Sequence, residues 1–141
     1  MRLSDYIAKF LISKEIERIY MVTGRGALFL TDAVAKEKNL RAICMHHEQS
    51  AAFAAIAEAE LTGKPAVCMV STGCASTNTI TGVLSAWQDG IPAIFISGQN
   101  VLKETTRHTG SSIRTYGQQE ADIISLIHPI TKYSVMIELR N

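Results

Sequence analysis

The sequence predicts an α/β fold of the doubly wound kind, with a mostly parallel sheet and helices on both of its faces. Five short apolar runs predict strands: RIYMV at 18–22, RAICM at 41–45, AVCMV at 66–70, AIFIS at 93–97 and YSVMI at 133–137. Segments with helical spacing separate the earlier runs. Strands that alternate with helices indicate βα units and parallel pairing.

Three segments predict the helices that cover this sheet. Residues 3–14 and 76–87 carry apolar side chains at helical spacing, and residues 47–61 are rich in alanine. The helix over 3–14 precedes the first strand, and glycine and proline mark the joints between elements. We also expect the alanine-rich helix to contact a second copy of the chain, because small residues let helices approach closely.

Two later segments do not fit the alternating pattern. Residues 98–119 have no apolar period and form a long connection, so we expect them to be functional or mobile. A strand at 133–137 should be followed by another helix, so we expect one domain over 1–141 that is truncated at its C-terminus.

Composition narrows the class of protein. Fourteen basic and thirteen acidic residues leave a net charge of +1, which gives no basic surface for nucleic acid or an anionic membrane. Cys44, Cys68 and Cys74 are too few for a disulfide framework and match no zinc spacing. We therefore expect reduced thiols, a cytoplasmic protein and no metal bound by this chain.

Small and polar residues follow the predicted strands. The sequences TGRG at 23–26, HHEQS at 46–50, STGCASTN at 71–78 and SGQN at 97–100 come after strands one to four. Ligands of open α/β sheets bind beyond the carboxyl ends of the strands. The pattern therefore predicts a ligand site with one carboxylate, Glu48.

Simpler interpretations stand beside each of these features. Glu48 can be a first-turn acid that complements the helix dipole. His46 and His47 can be a metal pair, but adjacent residues point apart, which favours a structural role. The glycines around Arg25 fit neither the dinucleotide nor the P-loop pattern. Cys74 can be a nucleophile, but the sequence places no base beside it, which favours packing.

The order of the motifs identifies a family. A T-G-x-G turn is followed by HHEQSAAFAAIAEAELTGKPAVCMVSTG, then TNTITGVLSAWQDGIPAIFISGQ, then GQQEADIISLIHPITKYS. This series resembles the N-terminal pyrimidine-binding domain of thiamine diphosphate enzymes of the acetolactate synthase and pyruvate oxidase type. The resemblance extends over nearly the whole chain, and its central stretch is highly specific.

The resemblance implies roles for individual residues. The Glu of HEQ, here Glu48, would meet the N1′ nitrogen of the thiamine aminopyrimidine and promote loss of the proton at C2 of the thiazolium. Thr23 and Gly24 resemble the turn that approaches the pyrimidine. Other expected cofactor contacts come from the loop beneath the ring and from the family's FQE stretch; they are Thr72, Gly73, Asn78 and Gln119.

The sequence also departs from the family pattern. The family's PGGA is here Thr23–Gly24–Arg25–Gly26, so Arg25 replaces a glycine beside the expected substrate pocket. SGPGATN is here TGCASTN, and Gln118 replaces the Phe of FQE. These changes place a plain pyruvate-plus-pyruvate synthase in doubt. Arg25, with Arg107, His108 and Arg114 in the segment 98–119, suggests a substrate with an additional anionic group, or else solvated loop charges.

The resemblance further implies a multi-domain enzyme that decarboxylates a 2-oxo acid and ligates the product. Mg²⁺ would be held by a diphosphate-binding domain in the same chain or in a partner, since no G-D-G…N motif occurs here. FAD is possible in the full enzyme, and this chain alone should be inactive. We expect a homo-dimer or tetramer formed through this domain.

Three alternatives remain at this stage. The chain can be a subunit of a split decarboxylase of the sulfopyruvate or phosphonopyruvate type. It can be a non-catalytic module for dimerisation or regulation. A simple nucleotide-binding domain is a further possibility, although the dinucleotide glycine fingerprint is absent.

Overall fold

A four-stranded parallel sheet forms the centre of the chain in the computed structural model, which describes residues 1–138. The strands are β1 (Arg18–Met21), β2 (Arg41–Cys44), β3 (Ala66–Val70) and β4 (Ala93–Ser97). Their order across the sheet is β2-β1-β3-β4, and every neighbouring pair is parallel. The doubly wound fold predicted from the sequence is therefore confirmed.

Helices connect and cover these strands. They are α1 (Leu3–Ser13), α2 (Leu28–Lys36), α3 (Glu48–Thr62), α4 (Cys74–Thr77), α5 (Ile80–Asp89), α6 (Thr106–Thr109) and α7 (Ile123–Ile127). Within residues 1–138, no helix is both long and apolar enough to cross a membrane.

Alternation along β3 divides the core into two layers. Val67 and Met69 point toward the side covered by α1 and α2, where Leu11 and Val34 complete an apolar cluster. Cys68 lies on the opposite side, in the cluster formed with α3. Successive side chains of a strand point to opposite faces, so a strand buried on both faces reads as a continuous apolar run. This explains why AVCMV is fully buried.

The alanines of α3 pack inside the domain. Ala51, Ala52, Ala55 and Ala59 are each no more than 1% exposed and contact the sheet, while Gly82 of α5 lies against the outer side of Ala52. Small side chains on this face let α3 approach both the sheet and α5 closely. These four alanines therefore offer no surface to a second copy, while contact of the helix through its exposed side stays a prediction, as does homo-oligomerisation.

Two helix predictions differ from the structure. The segment 76–87 is divided between α4 and α5, and buried Thr79 at the junction donates its hydroxyl to the carbonyl of Ser76. Helix α2 was not predicted. Its apolar residues Leu28 and Phe29 are more than half exposed, so the sequence does not show one apolar stripe.

The strand predicted at 133–137 does not form. These residues belong to no strand, and their side chains line an apolar cavity of about 1650 Å³ that β4 also borders. A strand needs a neighbouring backbone to accept and donate its hydrogen bonds, and among residues 1–138 the strand β4 pairs only with β3. The expected truncation of the domain concerns the chain from residue 139 onward, which lies outside the described residues.

Candidate functional site

The order in which strands are added to the sheet reverses between β1 and β3. From β1 the chain proceeds to β2 on one side, and β3 then adds on the other side. Such a switch point opens a crevice at the carboxyl ends of the two strands, where ligands of open α/β sheets bind. The turn 23–26 and the loop 71–73 follow these two strands directly.

Glu48 begins α3, after three residues that follow the end of β2. His47 caps the helix, because its Nδ1 accepts a hydrogen bond from the backbone N–H of Gln49 at 3.1 Å. This contact supports the structural role for His47 over the metal pair. Among residues 1–138, no group of three His, Cys, Asp or Glu side chains is arranged to hold a metal ion.

The carboxylate of Glu48 is held from the other side of the switch point. Asn78, which ends α4, donates from Nδ2 to Glu48 Oε2 at 2.9 Å. Because β1 lies between β2 and β3 in the sheet, this bond joins elements that follow two non-adjacent strands. Within the described chain, Oε1 of Glu48 accepts no hydrogen bond, and the half-buried side chain can still meet a ligand.

The thiol beneath this carboxylate remains neutral. Cys68 of β3 is buried, and burial followed by the negative charge of Glu48 raises the pKa of its thiol to about 12. A protonated thiol adds no second negative charge to the site. Cys74, by contrast, is exposed at the start of α4, and no side chain within residues 1–138 hydrogen-bonds its sulfur.

The turn after β1 and the loop after β3 contact each other through glycine. A Cβ atom placed on Gly26 would lie 1.6 Å from the hydroxyl of Thr72, so any other residue would collide. Thr72 is only 4% exposed, and its Oγ1 has no hydrogen-bond partner among residues 1–138. A buried hydroxyl without a partner is costly, so this atom is a candidate to bind a ligand after a small adjustment.

Gly73 contacts a residue from much later in the sequence. Its φ of +61° lies in the left-handed region that favours glycine, and a Cβ there would lie 1.3 Å from the backbone carbonyl of Gln119. Gln119 itself has a positive φ of 54°. The structure thus brings the predicted site residues Gly73 and Gln119 into contact although 46 positions separate them.

The other predicted residues lie at the same edge. Gly24 is close to Ser71, and a Cβ on it would lie 2.5 Å from the Ser71 side chain. Thr23 is exposed after β1, with no side-chain hydrogen bond inside residues 1–138. Arg25 is exposed and donates from Nη1 to Gln118 Oε1 at 2.7 Å.

Sequence reasoning did not single out two groups of polar residues. Ser71, Ser76 and Ser97 form a hydrogen-bonded cluster behind the loop, in which Ser76 donates to the carbonyl of Ser71. Glu120 accepts four hydrogen bonds from the segment 98–119. Ser71 and Ser97 could have been found from their places at strand ends, whereas the bond of Glu120 to Thr106 joins residues 14 positions apart, which only the fold brings together.

The large cavity beside β4 is separate from the site around Glu48. Its walls include Trp87, Ile94 and Ile127, and neither Glu48 nor Asn78 contributes to them. Polar side chains also line this cavity, but Glu120 is occupied by four hydrogen bonds within the chain, whereas the edge with Glu48 offers an unoccupied carboxylate oxygen among residues 1–138 and is the better candidate site.

Comparison with known proteins places the chain among cofactor enzymes. A family model described as "Thiamine pyrophosphate enzyme, N-terminal TPP binding domain" matches residues 1–126. The chain is 34% identical over 134 residues to acetolactate synthase isozyme 1 large subunit of Escherichia coli K12, covering 95% of this chain and 22% of the relative. It is 36% identical over 124 residues to an acetolactate synthase of Mycobacterium leprae, covering 87% and 18%.

A third relative extends the same pattern. An acetolactate synthase of Bacillus subtilis is 31% identical over 135 residues, covering 96% of this chain and 22% of the relative. The chain thus spans no more than 22% of the length of these three curated relatives.

Proposed function

This chain belongs to the thiamine pyrophosphate enzymes, whose N-terminal TPP-binding domain it carries, and on that premise we propose that Glu48 binds and activates the pyrimidine half of thiamine diphosphate. In the whole enzyme, the reaction would be decarboxylation of a 2-oxo acid and ligation of the product, as the family resemblance implies; the relatives named acetolactate synthase support a synthase of this kind.

The free oxygen of Glu48 carries this proposal. Asn78 holds one carboxylate oxygen at 2.9 Å and leaves the other without a partner among residues 1–138. A carboxylate fixed in this way is oriented before the ligand arrives, and its free oxygen can bind a ring nitrogen that shares a proton. In a half-buried position such a hydrogen bond is stronger than it would be in water.

The remaining residues fit the pyrimidine and not the diphosphate. Thr72 offers a buried hydroxyl in need of a partner, while Thr23, Gly24, Gly73 and Gln119 would form the walls around the ring. Thiamine diphosphate supplies the electron sink for the reaction when it is bound. The Mg²⁺ that accompanies the diphosphate would be held by another domain or a partner, and the resemblance leaves room for FAD in the full enzyme.

One observation favours a second candidate. Glu48 lies in the first turn of α3, where a negative charge complements the helix dipole without any ligand. A non-catalytic module for dimerisation or regulation would keep Glu48 for that reason alone. The two candidates predict different results when the charge of Glu48 is removed, because only the first predicts slower activation of the cofactor.

The test is Glu48→Gln in the active enzyme that contains this chain, with Glu60→Gln on the exposed side of α3 as the matched control. The introduced amide can still accept the hydrogen bond from Asn78, but it cannot share a proton with the ring. We expect Glu48→Gln to slow exchange of the cofactor C2 proton, followed by NMR, and turnover by about 100-fold or more. The control should change neither, and wild-type exchange in Glu48→Gln would contradict the proposal.

The half-site character has its own test. The 141-residue chain should bind thiamine diphosphate weakly or not at all in titration calorimetry, with or without Mg²⁺, because nothing in residues 1–138 is arranged to hold the metal. Tight, Mg²⁺-dependent binding by the chain alone would be inconsistent with a separate diphosphate-binding domain.

A further inference from the structure

Arg25 and Gln118 meet at the edge of the candidate site. Arg25 lies in the turn after β1, Gln118 precedes α7 by several residues, and their side chains hydrogen-bond at 2.7 Å across 93 positions of sequence. Both are positions where the sequence departs from the family pattern, with a glycine and a phenylalanine expected. Two independent departures that contact each other indicate a local change in the wall of the site.

The contact leaves most of the guanidinium free. An arginine side chain has five N–H donors, and Arg25 uses one of them on Gln118. The side chain is exposed, and it forms no ion pair with any acid in residues 1–138. Gln118 therefore orients the planar group without neutralising its charge, and the remaining donors form a fork suited to a carboxylate, sulfonate or phosphate.

Arg107 differs from Arg25 in this respect. Arg107 Nε lies 3.7 Å from the carboxylate of Glu138, so an acid of the same chain already faces its charge. The charge of Arg107 is therefore already partly satisfied within the chain, whereas Arg25 donates to the neutral amide of Gln118.

The pair is also joined to the floor of the site. Gln118 directly precedes Gln119, whose carbonyl packs on Gly73, and Gly26 beside Arg25 packs on Thr72. These close contacts fix the turn that carries Arg25 and the segment that carries Gln118. The position of Arg25 is therefore defined although its side chain is exposed.

We infer that Arg25, oriented by Gln118, selects a substrate with an anionic group in addition to its 2-oxo acid. This inference rests on the proposed function, because it assigns the substrate class of the same site. Arg25 binds the additional carboxylate, sulfonate or phosphate, and Gln118 is a positioning residue that acts through Arg25.

The test compares substrates in the active enzyme that contains this chain. The assay measures kcat/KM for pyruvate and for three probes with a second acid: 2-oxoglutarate, sulfopyruvate and phosphonopyruvate. The variants are Arg25→Met, which keeps an unbranched stem and removes the charge, Arg25→Gly, Gln118→Ala and the double variant Arg25→Met with Gln118→Ala. The control is Arg41→Met, which removes the charge of an exposed arginine at the start of β2, at the end of that strand away from the site.

We expect Arg25→Met to lower the preference for the best dianionic probe over pyruvate by tenfold or more. Gln118→Ala should lower it less, and the double variant should be no worse than Arg25→Met, because Gln118 acts only through Arg25. The control should keep the wild-type preference.

The inference is overturned if Arg25→Met keeps the wild-type preference, including the case in which Arg25→Gly alone alters it and bulk is responsible. An additive loss in the double variant overturns the role of Gln118. If the wild-type enzyme with thiamine diphosphate and Mg²⁺ turns over no 2-oxo acid at all, the proposed function itself fails, which is a distinct result.

Discussion

Glu120 should determine whether the segment 98–119 keeps its structure. Its Oε1 accepts hydrogen bonds from the backbone N–H and the hydroxyl of Thr106, both at 2.7 Å. Its Oε2 accepts from the N–H groups of Tyr116 and Gly117, at 2.9 and 3.1 Å. One half-buried carboxylate therefore joins the start of α6 to the chain about ten residues later.

The substitution Glu120→Gln gives a magnitude for this role. An amide nitrogen cannot accept a hydrogen bond, so two of the four contacts are lost. A hydrogen bond to a charged group contributes about 1.5–3 kcal/mol, and water replaces part of each loss at a half-buried position. We expect the segment to lose about 2 kcal/mol of local stability, which corresponds to about 30-fold faster opening of its amides.

Hydrogen exchange followed by mass spectrometry measures this directly on the 141-residue chain. Peptides that cover 105–117 should exchange faster in Glu120→Gln, while those from β1 and β3 should not change. The matched control is Glu104→Gln, an exposed acid of the same segment whose side chain makes no hydrogen bond in residues 1–138. Equal exchange of 105–117 in wild type and Glu120→Gln, or equally fast exchange in the control, would refute the reasoning.

Three further results are expected. Burial alone would raise the pKa of Glu120, but its hydrogen bonds from backbone N–H groups and the Thr106 hydroxyl lower that pKa to about 2 from an ordinary value near 4.5. The stabilisation by Glu120 is therefore present above pH 4.5 and is lost as the pH falls toward 2. Hydrogen exchange of 105–117 should accelerate over that range, and a flat profile would contradict this. Gly73→Ala should lower the free energy of unfolding by about 2 kcal/mol in urea titrations, because φ is +61° and the new methyl group would displace the Gln119 carbonyl. Ala55→Leu should cost about 1–3 kcal/mol by overpacking the face of α3 against the sheet, whereas Ala57→Leu on its exposed face should be nearly neutral; equal effects would refute the assigned faces.

Local periodicity was sufficient for most of the fold. The four runs RIYMV, RAICM, AVCMV and AIFIS contain β1 to β4, and the alanine-rich segment contains most of α3, with Glu48 in its first turn. These patterns succeed because alternation and helical spacing reflect which side chains face the core. Helix α2 was missed for the same reason, since its exposed Leu28 and Phe29 disguise the face that packs inward.

The candidate site was only partly predictable. Its single carboxylate could be named because residues after parallel strands share one edge of the sheet, and Asn78 could be named from the family resemblance. The hydrogen bond between them, and the oxygen of Glu48 that remains free, became visible only in the structure. A motif specifies residue types and spacing, but not which atoms of distant segments come within hydrogen-bonding distance.

The amino-acid sequence by itself determined the parallel α/β fold, the family and the place of Glu48 at a strand end, because each depends on short-range pattern. The tertiary structure decided that four alanines of α3 face inward, that 133–137 forms no strand, and that Arg25 meets Gln118. Each of these depends on which backbone or side chain lies opposite. That partner is supplied by residues far away in sequence, and only the packing of the whole sheet and its helices brings the two together.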